Sequence, residues 1–184
     1  MNYKIRSSLY VKGQIIEIDI YGYSTRSIPG LDIIGIGNKG KLLREKLNFL
    51  TNRYAQKIKA LKRFVISIEG DYPEEKLKLI SRDLEFPILI LYWAMLGILP
   101  IKNLDNCWAT GSINIDLEIF SPLIEKMDEC AHRDLSLWSR TLICNHQAMN
   151  YSFKNIILWN DLFEKNHLNS ECPSKEPGFS SPSI

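Results

Sequence analysis

The glycines and lysines of Gly35-Ile36-Gly37-Asn38-Lys39-Gly40-Lys41 fit two phosphate-binding patterns at once. Read as G-x-G-x-x-G between a strand and a helix, they match a dinucleotide fingerprint. Read as G-x-x-x-x-G-K, they are most of a P-loop. Both patterns work by turning backbone N–H groups toward an anion at the start of a helix. The P-loop then needs serine or threonine to hold magnesium, and Leu42 stands there. The dinucleotide pattern needs an acid about 20 residues on, where the chain is instead basic, around Lys57 and Lys59. A glycine-rich turn from strand to helix meets the same residues without a ligand, so no cofactor is expected.

The segment from residue 39 to 63 is the one strong charge asymmetry. Lys39, Lys41, Arg44, Lys46, Arg53, Lys57, Lys59, Lys62 and Arg63 stand there against the single acid Glu45, with Phe49 and Tyr54 interleaved. Cations neutralise phosphates and aromatic rings stack on bases, so these nine residues are the candidate nucleic-acid contacts. A solvated helix face followed by a loop has the same composition.

Cysteine and histidine invite a metal reading at Cys130-Ala131-His132 and Cys144-Asn145-His146. Residues two apart on a helix do not share a face, which disfavours the first pair. A strand would let Cys144 and His146 share one, but the short paired spacing of structural zinc sites is absent. No metal is expected. Cys107, Cys130, Cys144 and Cys172 follow no disulfide framework and read as reduced thiols.

These residues must be positioned by a chain of 184 residues, which suggests one domain and a tail. Its net charge of +2 makes any nucleic-acid footprint local. Met1 to Arg6 has neither the apolar run nor the cleavage site of a secretory signal, and a cytoplasmic location is expected. The alternation of residues 3–11 and of Ile15 to Tyr21, with Lys12-Gly13 between, predicts a hairpin. Tyr23 to Gly30 reads as a loop and Leu31 to Ile36 as a third strand. Gly37 to Gly40 opens a helix with Leu42, Leu43, Leu47 and Leu50 at helical spacing. Arg63 to Ile68 reads as a fourth strand, followed by a charged loop from Glu69 to Asp83.

Phe86 to Ile101 carries no charged side chain. A membrane span needs about 20 apolar residues, so the run reads as a buried helix of about four turns. Pro87 falls in its first turn, and Gly97 and Pro100 mark its end. Cys107 to Ile115 suits a strand leading into a turn, and Pro122 starts a helix to about His132. Arg140 to Cys144 and Asn155 to Trp159 read as strands, with Asn160 as N-cap of a helix over Asp161 to Lys165. Serine and proline accumulate from Asn166, so residues 1–165 are expected to form the domain and 166–184 a disordered tail or linker.

Several stretches in one order resemble a known family. Ile28-Pro29-Gly30-Leu31-Asp32-Ile33-Ile34-Gly35 resembles a signature near the start of ComM-type, magnesium-chelatase-like proteins. Arg44-Glu45-Lys46-Leu47, Arg63-Phe64-Val65-Ile66-Ser67-Ile68, Ser81-Arg82-Asp83-Leu84-Glu85-Phe86-Pro87-Ile88-Leu89 and Thr110-Gly111-Ser112-Ile113-Asn114-Ile115-Asp116 resemble its later motifs. The likeness is collinear from about residue 5 to 165.

The resemblance implies an α+β fold like the Lon protease proteolytic domain, a mixed sheet with packed helices in the style of the second domain of small-subunit ribosomal protein five. It also implies bacterial DNA processing: uptake in competence, recombination and branch migration. In full-length members an AAA+ ATPase module follows, and this chain stops where the linker to it would begin. A stand-alone copy, a half working with a separately encoded AAA+ ATPase, and a decayed product all fit. DNA, such an ATPase and a second copy of the chain are the expected partners, and no membrane is. In Lon a serine activated by a lysine opens the helix that starts here near Glu85. The base would fall near Ile124, with Lys126 a little beyond. Neither Ser81 nor Ser112 has the expected context, so a non-catalytic domain is the first reading. A divergent Lon-like serine peptidase or a P-loop-like nucleotide-binding domain is the alternative.

Overall fold

The first 25 residues build the middle of the sheet. In the computed structural model, which describes residues 2–11, 14–55, 62–69, 81–124, 140–145, 153 and 155–162, β1 (Asn2–Val11) pairs antiparallel with β2 (Gln14–Thr25) from Asn2–Tyr23 to Val11–Gln14. Alternation sends Ile5, Ser7, Leu9, Ile18 and Ile20 to one face and Lys4, Arg6, Ser8 and Asp19 to the other. The second strand runs through Tyr23-Ser24-Thr25, where a loop is expected. The reason is β4 (Arg63–Glu69), which pairs with Asp19 to Thr25 and satisfies that backbone.

β3 (Gly30–Ile34) lies parallel to β4, and α1 (Lys39–Tyr54) crosses between them. Leu43, Leu47 and Leu50 are the buried stripe of α1. Of the expected charged loop from Glu69 to Asp83, residues 70–80 lie outside the described ones; a 3-10 turn over Ser81–Leu84 follows and is continued by α2 (Glu85–Leu96). α2 is buried from Phe86 to Ala94, so its apolar run is core. Twelve residues is shorter than the four turns expected. Gly97, at φ 75°, stops it: the Ile98 N–H donates to the Trp93 carbonyl (2.8 Å) and the Gly97 N–H to that of Ala94 (3.0 Å). This is the Schellman pair of bonds, which needs a left-handed residue at that point.

The expected strand Cys107 to Ile115 is two strands. β5 (Cys107–Trp108) joins the main sheet beside β1, whereas β6 (Ser112–Ile113) pairs with β7 (Ile119–Phe120) in a small second sheet. Between them the chain is clamped to the start of α2: the Gly111 N–H donates to the Asp83 carbonyl (2.7 Å) and the Phe86 N–H to that of Gly111 (2.9 Å). β8 (Thr141–Cys144) and β9 (Asn155–Leu158) add in parallel beyond β5. The sheet order is β3-β4-β2-β1-β5-β8-β9, and of these strands β2 alone runs against the rest. The molecule is therefore α+β with a mixed sheet.

Both helices pack on one face of the sheet. Trp93 of α2 donates from Nε1 to Thr51 Oγ1 of α1 (2.9 Å), and Thr51 donates to the Leu47 carbonyl (2.7 Å). Trp159 stacks on Trp93 with ring centres 5.6 Å apart and meets Phe86 edge-on. This burial draws the last described helical turn, over residues 159–162, one residue ahead of the expected cap at Asn160. On the opposite face a smaller cluster gathers Trp108, Leu123, Ile124, Leu142, Cys144 and Phe153. Among the described residues no helix is long and apolar enough to cross a membrane. The expected turn at Lys12-Gly13, the helix beyond Ile124, the end of the last helix and the boundary at residue 166 lie outside the described residues.

Candidate nucleic-acid interface

The glycine-rich turn is explained by its own backbone. Gly35 has φ 101°, and a Cβ there would sit 2.6 Å from the Ile68 carbonyl oxygen. Gly37 has φ 57°. A Cβ on Gly40 would sit 2.7 Å from the Ile33 carbonyl oxygen. The outer two glycines thus let the chain pass close to β4 and let α1 start against β3. β3 is moreover an edge strand, whereas nucleotide sites of parallel sheets lie in a crevice between neighbouring strands.

Folding brings acids to the basic segment that its sequence lacks. The Asp32 carboxylate of β3 receives Arg63 Nε at 2.5 Å and has Arg44 Nη1 at 3.9 Å. Lys46 Nζ lies 2.7 Å from Glu85 Oε2, which also accepts the Ile113 N–H (3.1 Å). Arg53 meets Asp116 at 3.3 Å and donates to the Ile115 carbonyl. Four of the nine candidate contacts are thereby tied to carboxylates. Lys39, Lys41 and Lys62 make no ion pair among the described residues. Lys57 and Lys59 lie outside them. Of the two aromatics, Phe49 is half exposed, and the ring of Tyr54 carries the Arg53 guanidinium 5.2 Å from its centre.

A cleft of about 250 Å³ opens where the two helices begin. Ile36, Leu42 and Leu43 form its apolar wall, and Lys39, Lys46, Arg82 and Glu85 its polar one. Arg82 and Glu85 join the basic segment only through the fold, because nothing in their spacing from Lys46 reports the contact.

The peptidase geometry can be read at the same place. Glu85 opens α2, where the resemblance puts a nucleophile, and its carboxylate is engaged by Lys46 and the Ile113 N–H. Ile124, near which the base would fall, packs with Trp108 and Leu142 across the sheet from α2, and Lys126 lies outside the described residues.

Elsewhere, Cys107 and Cys144 are free and buried. Burial, helped by the charge of Asp105, pushes the Cys107 thiol up to about 11, so it is not a thiolate at neutral pH. Among the described residues no three potential metal ligands converge; Cys130, His132 and His146 lie outside them. On the far face of β1 and β2, Asp19 takes Lys4 at 2.7 Å and Arg6 at 3.2 Å. Burial pushes the Asp19 carboxyl up, but the hydrogen bond and charge of Lys4, with the charge of Arg6, outweigh it and hold Asp19 below its ordinary value. The Asp19 hydrogen bond in turn raises Lys4 against its partial burial.

No protein-family model matches this chain, and no curated protein matches it.

Proposed function

We propose that the chain is a non-catalytic, Lon-like domain of the ComM type that serves as an assembly or interaction module in cytoplasmic DNA processing, beside a separately encoded AAA+ ATPase. The observation that carries this reading is Glu85. The residue that opens the buried helix is a carboxylate held by a lysine and a backbone N–H, and not a hydroxyl that a base could activate. The order of the elements supports it too. The stretches that carry the resemblance fall in turn on β3, α1, β4, the start of α2 and the strand β6. DNA is the partner class suggested by Lys39, Lys41, Lys57, Lys59 and Lys62, because the remaining cations of the segment already face carboxylates.

Fluorescence anisotropy with labelled single-stranded, duplex and branched DNA tests the reading. Binding should be weak and tolerant of sequence, since lysines on phosphates position a protein without reading bases. It should fall steeply with salt, because each neutralised phosphate releases counterions. Charge reversal at Lys57, Lys59 and Lys62 should remove most of it. Reversal at Lys175 should do little, and is a cleaner control than Lys4, which is committed to Asp19. If no DNA form binds even at low salt, the basic segment is a solvated face and its nucleic-acid role is lost.

A further inference from the structure

The cleft at the start of the two helices holds more positive charge than its own acid neutralises. The ionisable side chains of its described lining are Lys39, Lys46, Arg82 and Glu85. Lys46 and Glu85 cancel: they meet at 2.7 Å, and Glu85 is further fixed by the Ile113 N–H. Lys39 and Arg82 remain, and neither makes an ion pair among the described residues. Arg82 is exposed, whereas Lys39 is half-buried. Glu45 and Lys41, both exposed on α1, do not line the cleft. Beside the two cations runs an apolar wall. Ile36 and Leu43 are buried, and Leu42, 67% exposed, carries the wall out to solvent. The volume of about 250 Å³ is less than drug-sized sites have. About eight waters would fill it.

We propose that this cleft binds a small organic monocarboxylate, an aliphatic or aromatic acid on the order of eight non-hydrogen atoms. Its carboxylate accepts charge-assisted hydrogen bonds from the Lys39 ammonium and the Arg82 guanidinium. Its hydrocarbon body lies on Ile36, Leu42 and Leu43. Each other ligand class fails on a particular residue. A phosphate dianion brings a second negative charge toward Glu85. An amine meets Lys39 and Arg82. A neutral molecule covers the half-buried Lys39 ammonium without pairing it, which costs free energy. The inference goes beyond the interaction role proposed above and depends neither on that role nor on the binding of DNA.

The test is an NMR titration of the whole chain with hexanoate and benzoate, set beside hexanamide, hexylamine and inorganic phosphate. The two acids should saturate a single site with Kd on the order of 1 mM, which a ligand of this size can supply. The amide, the amine and phosphate should each bind at least about tenfold more weakly, because each lacks the carboxylate or the hydrocarbon. Lys39→Gln/Arg82→Gln should weaken hexanoate at least about tenfold. Lys41→Gln, on the same helix but outside the lining, should leave it unchanged. Circular dichroism checks that the double variant folds; Arg82→Gln alone, at an exposed position, serves in its place if it does not. Equal binding of hexanamide, tighter binding of phosphate, or undiminished affinity in the variant would overturn the proposal. So would the absence of saturation by either acid up to about 20 mM.

Discussion

Two buried or half-buried polar residues carry opposite lessons about stability. Ser7 is fully buried under α2, and its hydroxyl has no hydrogen-bond partner among the described residues. A buried donor left unmade costs about 1–3 kcal/mol, so Ser7→Ala should raise stability by about 1 kcal/mol. Urea unfolding reads this directly, and a fall in the midpoint would mean that the hydroxyl is satisfied after all. Asp19 is the reverse case. Its carboxyl is held below the ordinary 3.8 by Lys4 and Arg6 despite burial. A depressed acid stabilises the fold above its unfolded value and loses that contribution as pH falls through the folded one. Lys4 is raised above 10.5, so its share is whole below that value and lost as pH rises through the folded one. Asp19→Asn should therefore cost stability near neutral pH and progressively less below about 3.8. An equal gap between wild type and variant in urea at pH 7 and at the acid limit would rule the ion cluster out as the cause.

At the scale of elements, Gly40 decides between propensity and packing. Alanine is favoured over glycine in a helix by about 1 kcal/mol. Here the added Cβ would meet a backbone carbonyl of β3 at 2.7 Å, which a flexible side chain cannot relieve. Overpacking of this kind costs about 1–3 kcal/mol, so Gly40→Ala should destabilise by about 1–2 kcal/mol in urea. A gain would show that β3 and α1 move apart freely. Periodicity made most of these elements legible. The hairpin, β3, α1, β4, β8 and β9 all announce themselves by alternation or helical spacing, and α2 by the absence of charge. The failures are where a distant partner decides. Tyr23 to Thr25 is strand because β4 lies beside it, β5 and β6 separate because Gly111 is bonded to the start of α2, and β7 exists only as a mate for β6. The basic segment was legible as cations alone. Asp32, Glu85 and Asp116, which take up four of them, come from remote stretches of chain.

In the whole molecule, the last described turn is tied to the centre through Trp159, which touches both Trp93 and Phe86 of α2. Truncating a buried aromatic costs about 3–5 kcal/mol, a large share of the 5–15 kcal/mol that a domain of this size has. Trp159→Ala should unfold at markedly lower urea, whereas Trp159→Phe should recover part of the loss. If the alanine protein were as stable as wild type, the last described turn would be an ornament on a fold complete without it.

The strand order also fixes a sequence of events during synthesis. The ribosome delivers the centre first: β1 and β2 are complete by residue 25, and β4 closes the outer side of β2 by residue 69. The other side of β1 waits for Cys107 and Trp108. For about 80 residues of translation, several seconds at cellular elongation rates, a ten-residue strand leaves the tunnel with one edge bare. Lys4 and Arg6 lie along that edge, and charge on an edge strand discourages pairing with a stranger. With two cations against the one carboxylate of Asp19, a net positive charge stays beside the edge until Trp108 pairs with Arg6.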